Sequence, residues 1–537
     1  MIENNKTVAI IGYGPAGICS TKCSIENGLI PTVFEMSSEL GGVWNPSIGK
    51  CWDNLTTNVS RYVMCFSDFD YHNDDYDIFP NYKTVYQYLI NYVNHFDLNK
   101  YVLFNSMVFK VERINGGNTI DDDNENDDDK NSKIKITWRN NINNKTYSKI
   151  FDFLIVATGL FSKPQSSSVY ENELKQFTGK IIHSQDYKNN ENYKGKNVVV
   201  LGSSTSACEI SAEISMVTKK CIVVGHENSF IYGKLLPNEN GTKLVPLDSI
   251  LFQRSKSYEQ QSLSKEDFSK LKKQMNIKYC PNQIKHINPT SKIIVNSPND
   301  KTLGFVASLS YVEQVEKGLI SVFCGNQFTI TSSSGKTITI SNSIGESFKE
   351  ENIDFVILCN GYQPDLSFFD ENILKSVDYL PSDSKRPVCL YKNIFAPNSK
   401  NIAFVSFFRS LFVAEVELMS RMITMIFSGK IPYPTDHEIQ NGFVNRENNN
   451  NNNNNNTNDP PYFLVAGSTV LCDQIAKEIG VLPDFEKLKQ TDPKLYELLW
   501  NGYFTPATYR LVGCGSNPKV AKEMIEKVNK IYNNLCD

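Results

Sequence analysis

Histidine is scarce in this chain, six residues among 537, and they are scattered. That excludes a metal centre built on clustered imidazoles. Basic blocks are missing as well. Lys and Arg number 55 against 59 Asp and Glu, a formal net charge of −4, which leaves nothing suited to a nucleic acid backbone. No uncharged apolar run reaches the roughly 20 residues that span a bilayer. The longest apolar region, 402–427, is broken by Arg409, Glu415, Glu417 and Arg421, and reads as a buried strand followed by a helix. The opening MIENNK has no apolar leader core and the closing IYNNLCD no apolar tail. The expectation is a soluble, cytoplasmic protein. Cysteine is plentiful at 13, but the number is odd and the spacing irregular, which fits free thiols in a reducing compartment. A close redox pair is lacking. Cys19 and Cys23 have three residues between them and fall inside one helical stretch, and Cys51 and Cys65 are far apart. Thiol-exchange chemistry is therefore excluded.

What the chain does have is length, a 40% hydrophobic composition, and glycines placed where strands end. The length exceeds one ordinary core and predicts two or three domains. Near the start, TVAII reads as a buried strand and runs into GYGPAG, giving Gly12-x-Gly14-x-x-Gly17 with Pro15 and Ala16 between the last two. A helix-compatible stretch follows, then a second strand, PTVFE, ending in Glu35, 23 residues beyond Gly12. Each part has a job in holding a dinucleotide. Gly12 permits the tight turn, Gly14 admits a pyrophosphate to the backbone, and Gly17 lets helix and strand pack closely. Helix N–H groups face the phosphates, and Glu35 accepts hydrogen bonds from a ribose diol. The stretch SSELGGVWNPS then places Gly41, Gly42 and Trp44 just past the second strand. Adjacent glycines let the chain pass close to a large flat group, which favours FAD over a nicotinamide nucleotide. Trp44 reads either as part of that site or as a core aromatic.

The same design returns mid-chain in GKNVVVLGSSTSACEISAEIS. Asn197 to Leu201 is the strand. Gly202, Ser204 and Ala207 stand where the three glycines stood, and Ser203, Ser204, Thr205 and Ser206 offer hydroxyls and N–H groups to a phosphate. The next strand, KKCIVVG, ends at Gly225-His226 without an acid, which leans toward NADP, because a carboxylate there would repel a 2′-phosphate. An arginine is expected nearby, and the next basic side chain is Lys234. Two apolar runs, FDFLIVATGLFSKP and IDFVILCNGYQPD, end in Gly159 and Gly361 and read as strands returning beneath a cofactor into a domain crossover. Two dinucleotide folds in one chain imply electron transfer between two cofactors, with the protein supplying placement.

Here the chain resembles the flavin-containing monooxygenases, class B flavoprotein monooxygenases. The most specific stretch is FTGKIIHSQDY, giving Phe177-x-Gly179-x-x-x-His183-x-x-x-Tyr187, where related Baeyer–Villiger enzymes usually carry Trp in place of Tyr187. His183 is assigned to linker positioning rather than proton transfer. WDNLTTNVSRYVMCFSDF resembles the family's active-site stretch, and TDPKLYELLWNGYFTPATYRLVGCGSNP its closing segment. The resemblance implies that Asn58, with Thr57 beside it, lies at the reactive edge of the flavin and helps place the nicotinamide nucleotide and the oxygen species. It further implies FAD and NADPH as cofactors and one oxygen atom passing from O2, through a C4a-hydroperoxyflavin, to a soft nitrogen or sulfur of a small molecule. That is activity of the N,N-dimethylaniline monooxygenase type. GSSTSA and CNGY depart from the family, which has more glycine in the first and Thr before Gly in the second.

The expected fold is α/β, with two Rossmann-like dinucleotide-binding domains and the NADP domain inserted into the FAD domain. The expected boundaries are 1–160 for the first part of the FAD domain, carrying a low-complexity insert at 115–147, and 161–355 for the NADP domain, with a variable segment at 227–330. The second part of the FAD domain follows at 356–443, then an Asn-rich loop at 444–458 and a C-terminal helical segment at 459–537 packing on the core. The Asp- and Asn-rich tracts lack the apolar surface to offset chain entropy, and the first lies between FNSMVFKVER and KIKITW, both strand-like, so it is expected to decorate a hairpin tip. Three rivals stay open: a Baeyer–Villiger or N-hydroxylating oxygenase, an NADPH oxidase or reductase without oxygen transfer, and an interaction protein retaining the fold. A homodimer is left open.

Overall fold

The computed structural model describes residues 6–536, apart from 72–75, 116–117, 120–131, 166–169, 171, 226–229, 239, 281–304, 309, 325–327, 343–344, 346, 384–385, 398, 408–412 and 443–466. The 444–458 loop thus lies outside the described residues. Two five-stranded parallel sheets organise the rest. The first comprises β1 (Thr7–Ile11), β2 (Ile30–Phe34), β3 (Val102–Leu103), β4 (Phe153–Val156) and, from far along the chain, β10 (Ile402–Phe404), in the order β10-β4-β1-β2-β3. The second comprises β5 (Lys180–His183), β6 (Asn197–Leu201), β7 (Lys220–Gly225), β8 (Ile320–Cys324) and β9 (Phe355–Leu358), in the order β5-β9-β6-β7-β8. All strands of the second sheet fall in sequence between β4 and β10 of the first.

The central strands are continuous β-branched and apolar runs because both faces of a parallel sheet are covered. Val8, Ala9 and Ile10 of β1 are wholly buried, as are Val198, Val199 and Val200 of β6. Helix α1 (Pro15–Glu26) follows β1, and α2 (Thr205–Ser215) follows β6. Pro15 sits at the first helical position, where its missing N–H costs no helical bond. The apolar region near residue 402 forms β10 and then helix α3 (Val413–Phe427), buried from Ala414 to Phe427. Its polar residues face other elements: Ser420 Oγ lies 3.0 Å from Ser20 Oγ of α1, and Asn27 donates to Thr424 Oγ1 at 2.9 Å.

The span 115–147 is less of an insert than its composition suggests. Lys133–Asn140 pairs antiparallel with Ser106–Asn115 on one side and with Thr146–Phe151 on the other. Ile134, Ile136 and Trp138 alternate inward, and that period-2 apolar face supplies the burial the acidic tract lacks. The C-terminal segment is helical and ends in α4 (Pro518–Cys536), whose Ala521, Ile525, Val528 and Tyr532 are buried. Among the described residues no helix is long and apolar enough to cross a membrane.

Candidate active site

The turn after β1 and the turn after β6 match bond for bond. Gly12 N donates to Phe34 O at 2.8 Å, and Gly202 N to Val224 O at 2.7 Å. Ala157 N donates to Ile11 O at 2.9 Å, and Cys359 N to Leu201 O at 2.7 Å. Gly12 has φ +99° and a Cβ there would meet Ala157 O at 2.7 Å, whereas Gly202 has φ +136° and its Cβ would meet Cys359 O at 2.5 Å. Both glycines are thus required twice over, by backbone conformation and by the returning strand. Gly159 (φ +72°) and Gly361 (φ +91°) occupy equivalent places after the returning strands and have open space around them. There the left-handed backbone alone selects glycine.

The two helix starts suit phosphate. Gly14 and Ser204 are the N-cap residues, with nearly the same backbone (φ −77°, ψ −172° and φ −89°, ψ −178°), and neither helix has a side-chain cap. Serine is a strong capping residue, yet Ser204 leaves the first-turn N–H groups of α2 open, as Gly14 does for α1. Ser203, Thr205 and Ser206 are half-buried around that turn and Ala207 is buried beneath it. Gly17 does the packing job its position predicts: a Cβ would lie 1.9 Å from Gly12 O. Ala16 is buried beside it.

Glu35, directly after β2, is buried and accepts from Tyr13 N at 2.8 Å through Oε2 and from Ser37 N and Oγ through Oε1. It therefore braces the glycine turn itself, and Oε2 keeps a lone pair for a ribose hydroxyl. The paired glycines are explained by chain meeting chain. A Cβ on Gly42 would lie 3.0 Å from Gly14 Cα, and one on Gly41 2.8 Å from the Tyr86 ring. Their first role is to seat one loop against the other, and the flat-group reading is corrected to that extent. Trp44 is partly buried and packs on the main core. These observations fit a dinucleotide at each turn.

Thr57 and Asn58 lie in the stretch between Trp52 and Tyr62. Thr57 is buried, its N–H donates to Pro80 O at 3.0 Å and its hydroxyl to Val59 O at 2.7 Å. Val59 is also buried, while Asn58 between them keeps accessible surface. Lys234 does not wait for a 2′-phosphate. Its side chain is wholly buried and donates to Thr56 Oγ1 at 2.8 Å and to Glu209 Oε2, on α2, at 3.3 Å. Burial pushes its ammonium below the usual lysine range, against the pull of Glu209. His226 lies outside the described residues. Sequence reasoning also missed a fully buried carboxyl, Asp248. Its Oδ1 accepts from Ser60 N at 2.8 Å, and its Oδ2 from Ser60 Oγ at 2.6 Å and Tyr532 OH at 3.0 Å.

His183 ends β5 at the crossover. Its Nδ1 accepts from Gln185 N at 3.1 Å, so Nε2 carries the proton and donates to Gly361 O, also at 3.1 Å. Burial lowers its pKa below the ordinary 6.5, and the Gly361 bond opposes that only partly. The ring is a neutral strut between the two connections. Because the unfolded chain then binds the proton more readily, stability is full above about pH 6.5 and falls as pH drops below it. His183→Gln is expected to flatten that acid slope in thermal melts between pH 5 and 7. Tyr187 is buried edge-on against Trp52, 6.4 Å between ring centres, and Trp52 precedes Asn58 by six residues in the chain.

Residues 5–536 match the model of the flavin-binding monooxygenase-like family, "FMO-like". The chain belongs to that family. It is 28% identical over 531 residues to flavin-containing monooxygenase 3 of Macaca mulatta, spanning 96% of this chain and 90% of the relative. Among solved structures, S-allyl-L-cysteine S-oxygenase from Allium sativum matches with a TM-score of 0.59 at 18% identity, over 98% of this chain and 99% of that one. A cyclohexanone-bound cyclohexanone monooxygenase matches at 0.58 and 14%, over 88% and 97%. At such identities the two structures speak for the fold alone. As a member of the flavin-binding monooxygenase-like family the protein is an oxidoreductase that uses FAD, NADPH and O2. Among the described residues there is no group of His, Cys, Asp or Glu that could hold a metal ion. Cys19 and Cys23 lie 4.0 Å apart, buried within α1.

Proposed function

We propose that this flavin-binding monooxygenase-like protein transfers one oxygen atom from O2 to a soft nitrogen or sulfur of a small molecule, with FAD on the Gly12 turn and NADPH on the Gly202 turn. When bound, the flavin supplies the reduction of O2 and the donation of one of its atoms, with NADPH as the electron source. The observation that carries the reading is the bond-for-bond doubling of the glycine turn, each copy followed by an uncapped helix. Only the first copy has an acid at the end of its second strand. Gly12, Gly14, Pro15, Ala16, Gly17, Glu35, Gly42, Trp44, Thr57 and Gly159 hold the flavin nucleotide. Gly202, Ser203, Ser204, Thr205, Ser206, Ala207 and Gly361 hold the nicotinamide nucleotide. Residues 1–160 and 356–443 then form the FAD domain, with 161–355 inserted as the NADP domain.

Asn58 keeps accessible surface between the buried Thr57 and Val59, and it orients the nicotinamide nucleotide and the oxygen species. The protein's own work is placement and exclusion of water, which prevents loss of the activated oxygen as peroxide. The preference for nitrogen or sulfur over ketones rests on Tyr187, where Baeyer–Villiger enzymes carry Trp. Asn58→Ala is expected to raise several-fold the share of NADPH electrons released as hydrogen peroxide, and to lower product yield on a thioether or a tertiary amine. Peroxide and product are measured together against NADPH consumed. Unchanged coupling removes Asn58 from the mechanism, and a cyclic ketone oxidised in preference removes the substrate class.

A further inference from the structure

The Asn58 stretch is gripped at both ends by one hairpin. Strands Leu235–Pro237 and Leu244–Pro246 pair antiparallel, with Leu235 opposite Pro246. At the open end of this hairpin Leu247 N donates to Lys234 O at 2.9 Å, which brings Lys234 and Asp248 side by side. Lys234 reaches Thr56, two residues before Asn58, and Asp248 reaches Ser60, two residues after it. The opposite side of the stretch is held through backbone bonds, Thr57 N to Pro80 O at 3.0 Å and Arg61 N to Ile78 O at 2.8 Å.

We propose that Lys234 and Asp248 are positioning residues for Asn58, and that through them the Asn58 stretch is tied to helix α2 of the second nucleotide turn and to the C-terminal helix α4. The proposal rests on the function assigned to Asn58 above. Lys234 extends the tie to α2 through Glu209, and Asp248 extends it to α4 through Tyr532, whose hydroxyl also lies 2.6 Å from Ser60 Oγ. Apolar residues would fill both places at less desolvation cost. A buried ammonium and a buried carboxyl add direction, because each hydrogen bond fixes an angle that packing leaves loose. The Asp248 side is a closed three-membered ring of oxygens, Oδ2, Ser60 Oγ and Tyr532 OH. Both hydroxyls donate to Oδ2, and their own oxygens lie 2.6 Å apart on the third edge, so the three groups fix one another's angles. Burial pushes the Asp248 carboxyl up, and the bonds from Ser60 and Tyr532 oppose it.

The test is a double-mutant cycle on the FAD-loaded full chain. It reads peroxide released per NADPH, KM for NADPH, kcat and thermal stability. Lys234→Met is expected to raise peroxide release several-fold in the wild-type background and to add little in the Asn58→Ala background, because both changes remove the same placement. Lys234→Arg is expected to restore part of the coupling. Asp248→Asn keeps the shape and an acceptor oxygen for Ser60, and is expected to retain more of the coupling than Asp248→Ala, which uncouples like Lys234→Met. Effects of Lys234→Met and Asn58→Ala that simply multiply overturn the inference, as does wild-type coupling in a folded Lys234→Met protein. If Lys234→Met melts too low to assay, the Asp248→Asn and Asp248→Ala pair decides: equal coupling in the two overturns the proposal. A wild-type protein that consumes no NADPH overturns the functional reading, and the inference with it, whereas independent effects in an active enzyme overturn the inference alone.

Discussion

Gly17→Ala is expected to yield protein without bound FAD, measured as flavin absorbance per polypeptide after purification. The added Cβ would lie 1.9 Å from Gly12 O and 3.7 Å from the Ala157 side chain. Gly12 cannot yield, because it is pinned by Phe34 O on one side and crowded by Ala157 O on the other. The first turn of α1 must move outward instead, and it carries with it the N–H groups that face the pyrophosphate. Overpacking of this kind costs about 1–3 kcal/mol or more, and here the displaced atoms are also the binding atoms. The second turn gives the control. Ala207 stands at the equivalent position and is accommodated, so Ala207→Gly is expected to lose only about 1 kcal/mol of helix stability and to leave FAD content unchanged. Full FAD content in Gly17→Ala, at wild-type stability, would refute the close-packing argument for the first turn.

Arg510→Met should destabilise the protein by about 3–5 kcal/mol, the usual cost of breaking a buried charge network by removing one partner. Arg510 donates to Glu417 Oε1 at 2.8 Å, Asp68 Oδ2 at 2.9 Å, Ser67 Oγ at 2.6 Å and Gly515 O at 3.0 Å. Lys22 of α1 also pairs with Asp68, and Glu417 of α3 accepts from Ser67 N at 2.7 Å. The Ser67–Asp68 segment, helix α3 and the 510–515 turn therefore meet on one guanidinium, and α1 joins them through Lys22 and Asp68. Without it, Glu417 keeps, among the described residues, Ser67 and a distant Arg421 at 3.9 Å. Burial alone would raise the Glu417 pKa, but Arg510 and then Arg421 outweigh it, and the carboxyl ends below its usual range. The unfolded chain thus binds the proton first. The stabilisation is present above about pH 4.3 and fades as pH falls toward the lowered folded value. Denaturant titrations of wild type should show this acid loss, and Arg510→Met should show less of it. Adding Glu417→Gln to Arg510→Met is expected to recover part of the loss, since no uncompensated charge then remains at that position.

The readable part of the molecule was the part written locally. Gly12, Gly14, Gly17 and Glu35 lie within one strand–turn–helix–strand unit, where spacing follows from helix and strand geometry. The repeat at Gly202, Ser204 and Ala207 was legible for the same reason, even with two glycines replaced, because small residues at fixed intervals still mark close approach. The apolar region near residue 402 read correctly as strand then helix, since four charged residues interrupt it and rule out a bilayer span. Glycines 41 and 42 were read too simply, because the Gly14 backbone and the Tyr86 ring that crowd them belong to other parts of the fold. FNSMVFKVER and KIKITW were legible as the two strands flanking the acidic tract, and Ser106–Asn115 and Lys133–Asn140 do pair antiparallel, although the bounds 115–147 run over the second of them.

By itself the sequence determined two strand–glycine–helix turns and the bridging fingerprint that ends in Tyr187, because backbone clearance and periodicity are properties of neighbouring residues. Only the tertiary structure decided what Lys234, Asp248 and Arg510 do. Lys234 meets Thr56 across 178 residues, Asp248 meets Ser60 across 188, and Arg510 meets Asp68 across 442. A charged side chain buried in water-excluded surroundings must find its partner wherever the chain path delivers one, and no local pattern records that address.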